Sequence, residues 1–139
     1  MTVQLVGKSG SVRDRVSAAE WEARVTLAAG HRVLAHYGVN DMTYNHFALR
    51  VPDAPDRMLV KRTDEMFMEV TASSLLTCDL DGNVMEPEGM GTMHGGALII
   101  HAGLLRHRTD LNATLHTHTP NMMGVCAHKD GLLPINQHA

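Results

Sequence analysis

The chain has 139 residues, of which 44% are apolar, with a net charge of −3 and a pI of about 6.3. At roughly this size a single domain buries about 68–70% of its unfolded surface, so a core forms without staples. The mild acidity excludes a global basic field for nucleic acid, no apolar run approaches the ~20 residues of a membrane span, and two cysteines, Cys78 and Cys126, make no disulfide framework, so a reducing cytoplasm is the expected compartment.

Residues 1–16 are polar, carry no signal-peptide h-region, and read as a loose N-terminal arm ahead of one domain over 17–139. Ser17 to Glu20 has the form of a capping box. Trp21, Val25, Ala28, Ala29 and Val33 then recur at helical spacing, which predicts a helix over 18–37 stopped by Gly38. Asn45–Val51, closed by Pro52 to Pro55, and Arg57–Lys61 read as strands. Thr71–Ser74 reads as a short capped turn. Leu75–Leu80 and Asn83–Met85 flank Asp81-Gly82, the signature of a type I′ hairpin. The stretch from Pro87 to Gly95 is irregular and glycine-rich.

Ala97, Ile100, His101, Leu104 and Leu105 share one face of a second helix, and Arg106, His107 and Arg108 close it, complementing its dipole. Thr119-Pro120 starts a third helix over 120–128, with Thr as N-cap and Pro at N1. Leu132–Ile135 is expected to begin another strand. The chain stops a few residues later, so a truncated version of a longer structural plan is expected.

The feature richest in chemistry is His116-Thr117-His118. Side chains alternate across a strand, so the two histidines face the same way with Cα atoms roughly 6–7 Å apart. Two imidazoles so placed can converge on one divalent ion, whose Zn–N bonds are about 2.0–2.1 Å. The spacing supplies two ligands and no more. The other histidines divide differently: His101 reads as a hydrogen-bonded core residue. His94 reads as a loop residue facing substrate or solvent, with a substitute ligand as the alternative. His138 is a candidate to line the pocket. Asp64 and Glu65 read as a solvated loop rather than a base, Met66 and Met68 as core filler, and Cys126 as buried and inert.

Four stretches together resemble the class II aldolase/adducin head-domain family. They are Asn45 to Pro52, Glu69 to Gly82, His101 to Asn112, and His116-Thr-His-Thr-Pro120 running on to Ala139. The resemblance implies an α/β fold, three layers α/β/α around a mostly antiparallel sheet. It implies homo-oligomers with sites near subunit boundaries, and a divalent metal, most often zinc, on three histidines. The metal polarises a carbonyl and stabilises an enediolate in aldol cleavage, epimerisation or dehydration of a small, often phosphorylated, sugar or hydroxy-carbonyl compound. By position, His116 and His118 match the first two ligands. The expected function is therefore a metal-dependent lyase with a small-molecule carbonyl substrate and no nucleic-acid or membrane partner. A non-catalytic adducin-like assembly domain, or an inactive fragment of a longer family member, is the alternative.

The chain departs from the family pattern in three places. The third ligand lies downstream of the segment matched by Gln137-His138-Ala139. Ala97 occupies the position of a glutamate general base, four residues before His101, so no catalytic residue is assigned. The phosphate-loop positions are changed to Asn45-His46, Thr63-Asp64 and Gly95-Gly96. Asp64 would repel a phosphate dianion by of order a kcal/mol, whereas the Gly95 and Gly96 N–H groups could receive an anion. Asn45, His46, Thr63, Gly95 and Gly96 are the substrate- or anion-binding candidates.

Overall fold

The structure is a computed structural model that describes residues 10–135. His138 and most of the expected N-terminal arm lie outside the described residues. Within that arm, Val12–Arg15 forms a helical turn, α1, rather than a loose strand of chain, and Arg15 bonds Glu86 at 2.7 Å. Helix α2 follows over Ala18–His36. Ser17 Oγ accepts the Glu20 N–H at 3.0 Å, and Gly38 takes a positive φ of 72° just past the helix. Only half of the expected capping box forms, because the Glu20 carboxylate turns inward to Arg24 and Thr77 instead of back to the cap.

Five antiparallel strands follow: β1 His46–Val51, β2 Ala54–Val60, β3 Leu76–Asp79, β4 Val84–Glu86 and β5 Ala113–His116. Their order in the sheet is β4-β3-β2-β1-β5. Alternation along the strands sends successive side chains to opposite faces. Ala48, Met58, Val60, Leu76 and Cys78 form one buried layer with Ala97, Ala102 and Leu105 of the later helix. Val51, Leu59 and Leu75 form the other with Ala23, Leu27 and Ala28 of α2. Each face needs an apolar cover, and the two helices supply it, so the molecule is the expected three-layer α/β/α sandwich. No helix among the described residues is long and apolar enough to cross a membrane.

Several local expectations are corrected. The β3–β4 turn is not type I′, which requires positive φ at both central residues. Only Gly82 has one (98°); Gly82 N–H donates to Asp79 O at 3.2 Å, giving a three-residue loop with glycine at the left-handed position. A Cβ at Gly82 would also lie 2.8 Å from Leu98 Cδ2.

The second helix is α3, Gly95–Ala97, a π-helical turn, Leu98–Ala102, and α4, Gly103–His107, in continuous succession. The wider turn rotates the buried stripe onto Ala102 and Leu105 and leaves Leu104, expected inside, exposed. Helix α5, Pro120–Ala127, buries no residue, so Cys126 is exposed rather than buried. Met66 and Met68 are likewise on the surface. Residues 132–135 form no strand; among the described residues nothing pairs with them, and a strand needs a partner for its backbone groups.

Candidate metal centre

The β1–β5 register sets His46 directly opposite His116 and Ala48 opposite Thr114. All four therefore point to the face covered by the helix that carries His101. The rings of His46 and His116 stack with centroids 4.8 Å apart and planes 20° from parallel. His101, fully buried below them, bridges inward: its Nε2 lies 2.8 Å from His46 Nδ1 and its Nδ1 lies 2.7 Å from Thr114 Oγ1. The hydrogen-bonded core histidine expected at 101 is thus realised, with a specific partner on each nitrogen.

Strand β5 ends at His116, so His118 lies beyond the regular alternation. Two residues of the loop before β1 hold it in place. Asn45 Oδ1 accepts the His118 backbone N–H at 2.9 Å, and Asp41 Oδ2 lies 2.9 Å from His118 Nδ1. A carboxylate there accepts, so Nδ1 carries the hydrogen and Nε2 presents its lone pair. That Nε2 faces His116 Nε2 at 2.9 Å.

Two nitrogens each about 2.0–2.1 Å from one ion, at angles between a right angle and a tetrahedral one, stand about 2.9–3.4 Å apart. The pair therefore fits two positions of a divalent-metal site. Among the described residues no group of three His, Cys, Asp or Glu side chains is arranged to hold a metal. The fit is thus to two ligands with a carboxylate behind one of them.

The other candidate residues are dispersed around this pair. Asn45 is buried and spends its carbonyl on His118. His46 is buried between His101, His116 and His94. The Thr63 N–H donates to Thr92 O at 2.8 Å. Gly96 gives its N–H to His94 Nδ1 at 3.1 Å, whereas Gly95 is exposed with open space around it. Asp64 is paired with Arg62 at 2.6 Å. Glu65 is not solvated as expected but buried, with Oε2 lacking a hydrogen-bond partner. Ala97 is fully buried in the core layer.

Sequence reasoning missed three residues that build the site. Asp41 is 77 positions from His118, and no spacing signal links them. Thr114 could have been found, because it shares the strand face of His116. Lys61 is a lone cation ending the apolar run of β2. Its ammonium is buried and donates to the carbonyls of Thr43 (2.9 Å), Arg62 (3.1 Å) and Glu65 (2.8 Å), pinning the loop that carries Asp41 and Asn45 to the loop after β2. Burial lowers its pKa, opposed by the nearby carboxylates of Glu65 and Asp64.

Burial also pushes the imidazoles toward neutrality. His46 is lowered to about 3 by desolvation, then by the neighbouring His101, His116 and His94. His101 falls to about 4 by desolvation and then His116. His31, buried against Phe67, falls to about 4 by desolvation. His116 is lowered as well, by burial and then by His118.

Depressed histidine values mean that the unfolded chain binds protons first, near 6.5. The stability these groups contribute is complete above that pH and is lost as pH falls toward the folded values of about 3–4. In chelator, to remove any metal effect, thermal midpoints are expected to be level above pH 7 and to fall steeply from pH 6 to 4. Each buried histidine contributes up to about 1.4 kcal/mol per pH unit. A level profile down to pH 4 would show that these rings charge freely in the fold.

Comparison with known proteins adds the context. Residues 25–139 match the model of the Class II Aldolase and Adducin N-terminal domain. A Caulobacter vibrioides protein whose name places it with the class 2 aldolases is 39% identical over 129 residues, covering 93% of this chain and 50% of that protein. A 3,4-dihydroxyphthalate decarboxylase of Arthrobacter keyseri is 34% identical over 119 residues, covering 81% and 47%. The crystal structure of an aldolase II superfamily protein from Pseudomonas syringae superposes with a TM-score of 0.86 at 47% identity, covering 93% of this chain and 51% of that one. The chain spans about half the length of these relatives.

Proposed function

Since this chain belongs to the class II aldolase and adducin family, we propose that it holds a divalent metal, zinc first among the choices, on His116 and His118 and serves a lyase acting on a small hydroxy-carbonyl substrate. The observation that carries this reading is the 2.9 Å approach of the two Nε2 atoms with Asp41 behind His118. A metal held there supplies a Lewis acid for a carbonyl oxygen. The similarity to a decarboxylase and to class 2 aldolases supports breakage of a carbon–carbon bond as the reaction class.

The chain's own residues have separate tasks in this reading. Asp41 holds the His118 hydrogen on Nδ1, and Asn45 fixes the backbone at His118. His46 packs flat against His116 and, with His101 and Thr114, closes the inner side of the site with buried, hydrogen-bonded groups. A homo-oligomeric state and a cytoplasmic location belong to the same reading. The location is supported by the two free cysteines among the described residues.

A non-catalytic assembly role is favoured by one observation, the burial of Ala97 in the core where a proton-transferring side chain would otherwise start. Metal analysis separates the readings. Stripped and reloaded protein is expected to retain stoichiometric zinc after gel filtration, and His116→Ala and His118→Ala are each expected to lose about tenfold or more in affinity, since each removes half of the ligand pair. Equal metal content in all three proteins would defeat the proposal. Metal-dependent cleavage of any hydroxy-carbonyl compound would exclude the assembly role.

A further inference from the structure

The start of the helix at Gly95 is where backbone N–H groups would ordinarily receive an anion. Here a side chain occupies that position. His94 is the N-cap residue, and its Nδ1 accepts the Gly96 N–H at 3.1 Å. The backbone N–H can only donate, so Nδ1 holds a lone pair and the neutral ring carries its hydrogen on Nε2. The ring is fixed on several sides. It stacks on His46 with centroids 5.9 Å apart and meets Tyr44 edge-on at 6.3 Å. A Cβ on Gly96 would lie 3.0 Å from His94 Nδ1, so any larger residue at 96 would press on the ring by a few tenths of an ångström. Nε2 makes no hydrogen bond with the described residues.

The cations around the site are equally committed. Arg62 is bonded twice to Asp64, at 3.0 and 2.6 Å, and Lys61 is held by three carbonyls. The Gly96 N–H and these two cations are thus spent on protein partners and exposed Asp64 opposes a phosphate, which leaves the Gly95 N–H as the open backbone donor of the cluster. His94 lies two ring-to-ring steps, of 5.9 and 4.8 Å, from His116. The His94 ring therefore borders the same histidine cluster as the His116–His118 pair.

We infer that His94 is a substrate-orienting hydrogen-bond donor, and that through Nε2–H it takes a neutral hydroxyl or carbonyl oxygen, making this a site for unphosphorylated hydroxy-carbonyl substrates. This rests on the carbonyl-binding reading above and narrows its substrate class.

The test uses zinc-loaded protein, nitrogen-15 NMR of the histidines, and two probes, dihydroxyacetone and inorganic phosphate. Nε2 is expected to be the protonated nitrogen of His94. Dihydroxyacetone is expected to shift it saturably, and phosphate to leave both it and the Gly96 amide unmoved. His94→Phe keeps a stacking ring without the donor. Its dissociation constant for dihydroxyacetone is expected to rise about tenfold, the worth of one hydrogen bond, with metal content unchanged. His94→Gln, which restores an N–H donor, is expected to recover part of that loss.

A saturable phosphate shift at Gly96, a protonated Nδ1, no response of His94 to dihydroxyacetone, or an unchanged constant in His94→Phe would each overturn the inference. Loss of metal in His94→Phe would also overturn it, by making His94 a ligand. Failure of the metal reading is distinguishable, because it would appear as absent zinc in the unaltered protein, while the tautomer and phosphate measurements still report on His94.

Discussion

Replacing Asp41 with alanine is expected to weaken metal binding by about 10–100-fold while leaving the fold in place. The carboxylate is half-exposed in the loop before β1, and its contact of 2.9 Å with His118 Nδ1 is its one bond within the described residues. Removing it opens no core cavity. What is lost is the partner that keeps the hydrogen on Nδ1 and the lone pair of Nε2 directed at His116. Without it the ring can rotate or exchange its hydrogen to Nε2, and a protonated nitrogen is no ligand. Asp41→Asn, which keeps an acceptor but not the charge, is expected to fall between the two. Zinc titration of the stripped protein, alongside a thermal melt, is the measurement. An unchanged zinc affinity in Asp41→Ala would detach the carboxylate from the site.

The largest stability effect is expected at Arg24. Its guanidinium is fully buried beneath α2 and donates to Glu20 Oε1 at 2.9 Å, Thr77 Oγ1 at 2.5 Å, Ala72 O at 3.1 Å and Leu75 O at 2.8 Å. Thr77 in turn donates to Glu20 at 2.6 Å. Arg24→Met keeps most of the apolar stem but leaves the Glu20 carboxylate buried without its cation and two carbonyls without donors. Breaking such a pair costs about 3–5 kcal/mol, a large share of the roughly 5–15 kcal/mol that holds a domain together. For a chain of this size that is a fall in thermal midpoint of about 10–20 °C. The double variant Glu20→Gln/Arg24→Met, which removes both charges, is expected to be less destabilised than Arg24→Met alone. The reverse order in urea unfolding would mean that the charges are not coupled.

The parts of the fold that were legible are those where one local pattern decides the outcome. The extent of helix α2 was legible because its cap and its terminal glycine agree, but its face was not: Val25, Ala29 and Val33 of the expected stripe are exposed, and Ala23, Arg24, Leu27, Ala28 and His31 face the sheet. The alternation of β1 and β3 was legible because side-chain direction in a strand has a fixed period of two. Where the outcome depended on a neighbour, local patterns misled. Leu104 fits the apolar face of a regular helix, but the π-turn at Leu98–Ala102 moves the buried stripe past it. Leu132–Ile135 has strand composition without a strand to pair with among the described residues. Cys126 sits on a helix that covers no core.

The site divides in the same way. The His116/His118 pair and the burial of His101 followed from spacing and composition. Apolar context depends only on nearby residues, so the chain by itself determined that His101 would lie beneath the sheet; the period of two that placed His116 and His118 on one face stops at His116, where β5 ends. The chain by itself did not determine why the pair converges. His118 lies beyond the strand and is aimed by Asn45 and Asp41, 73 and 77 positions earlier. His46 and His101 meet across 55 positions because β1 and the helix are packed on the same face. Such contacts depend on register and layer packing, which bring distant segments together only once the sheet is built. Only the tertiary structure could therefore decide which nitrogen of His118 faces its partner, and that the His94 imidazole caps the helix start at Gly96.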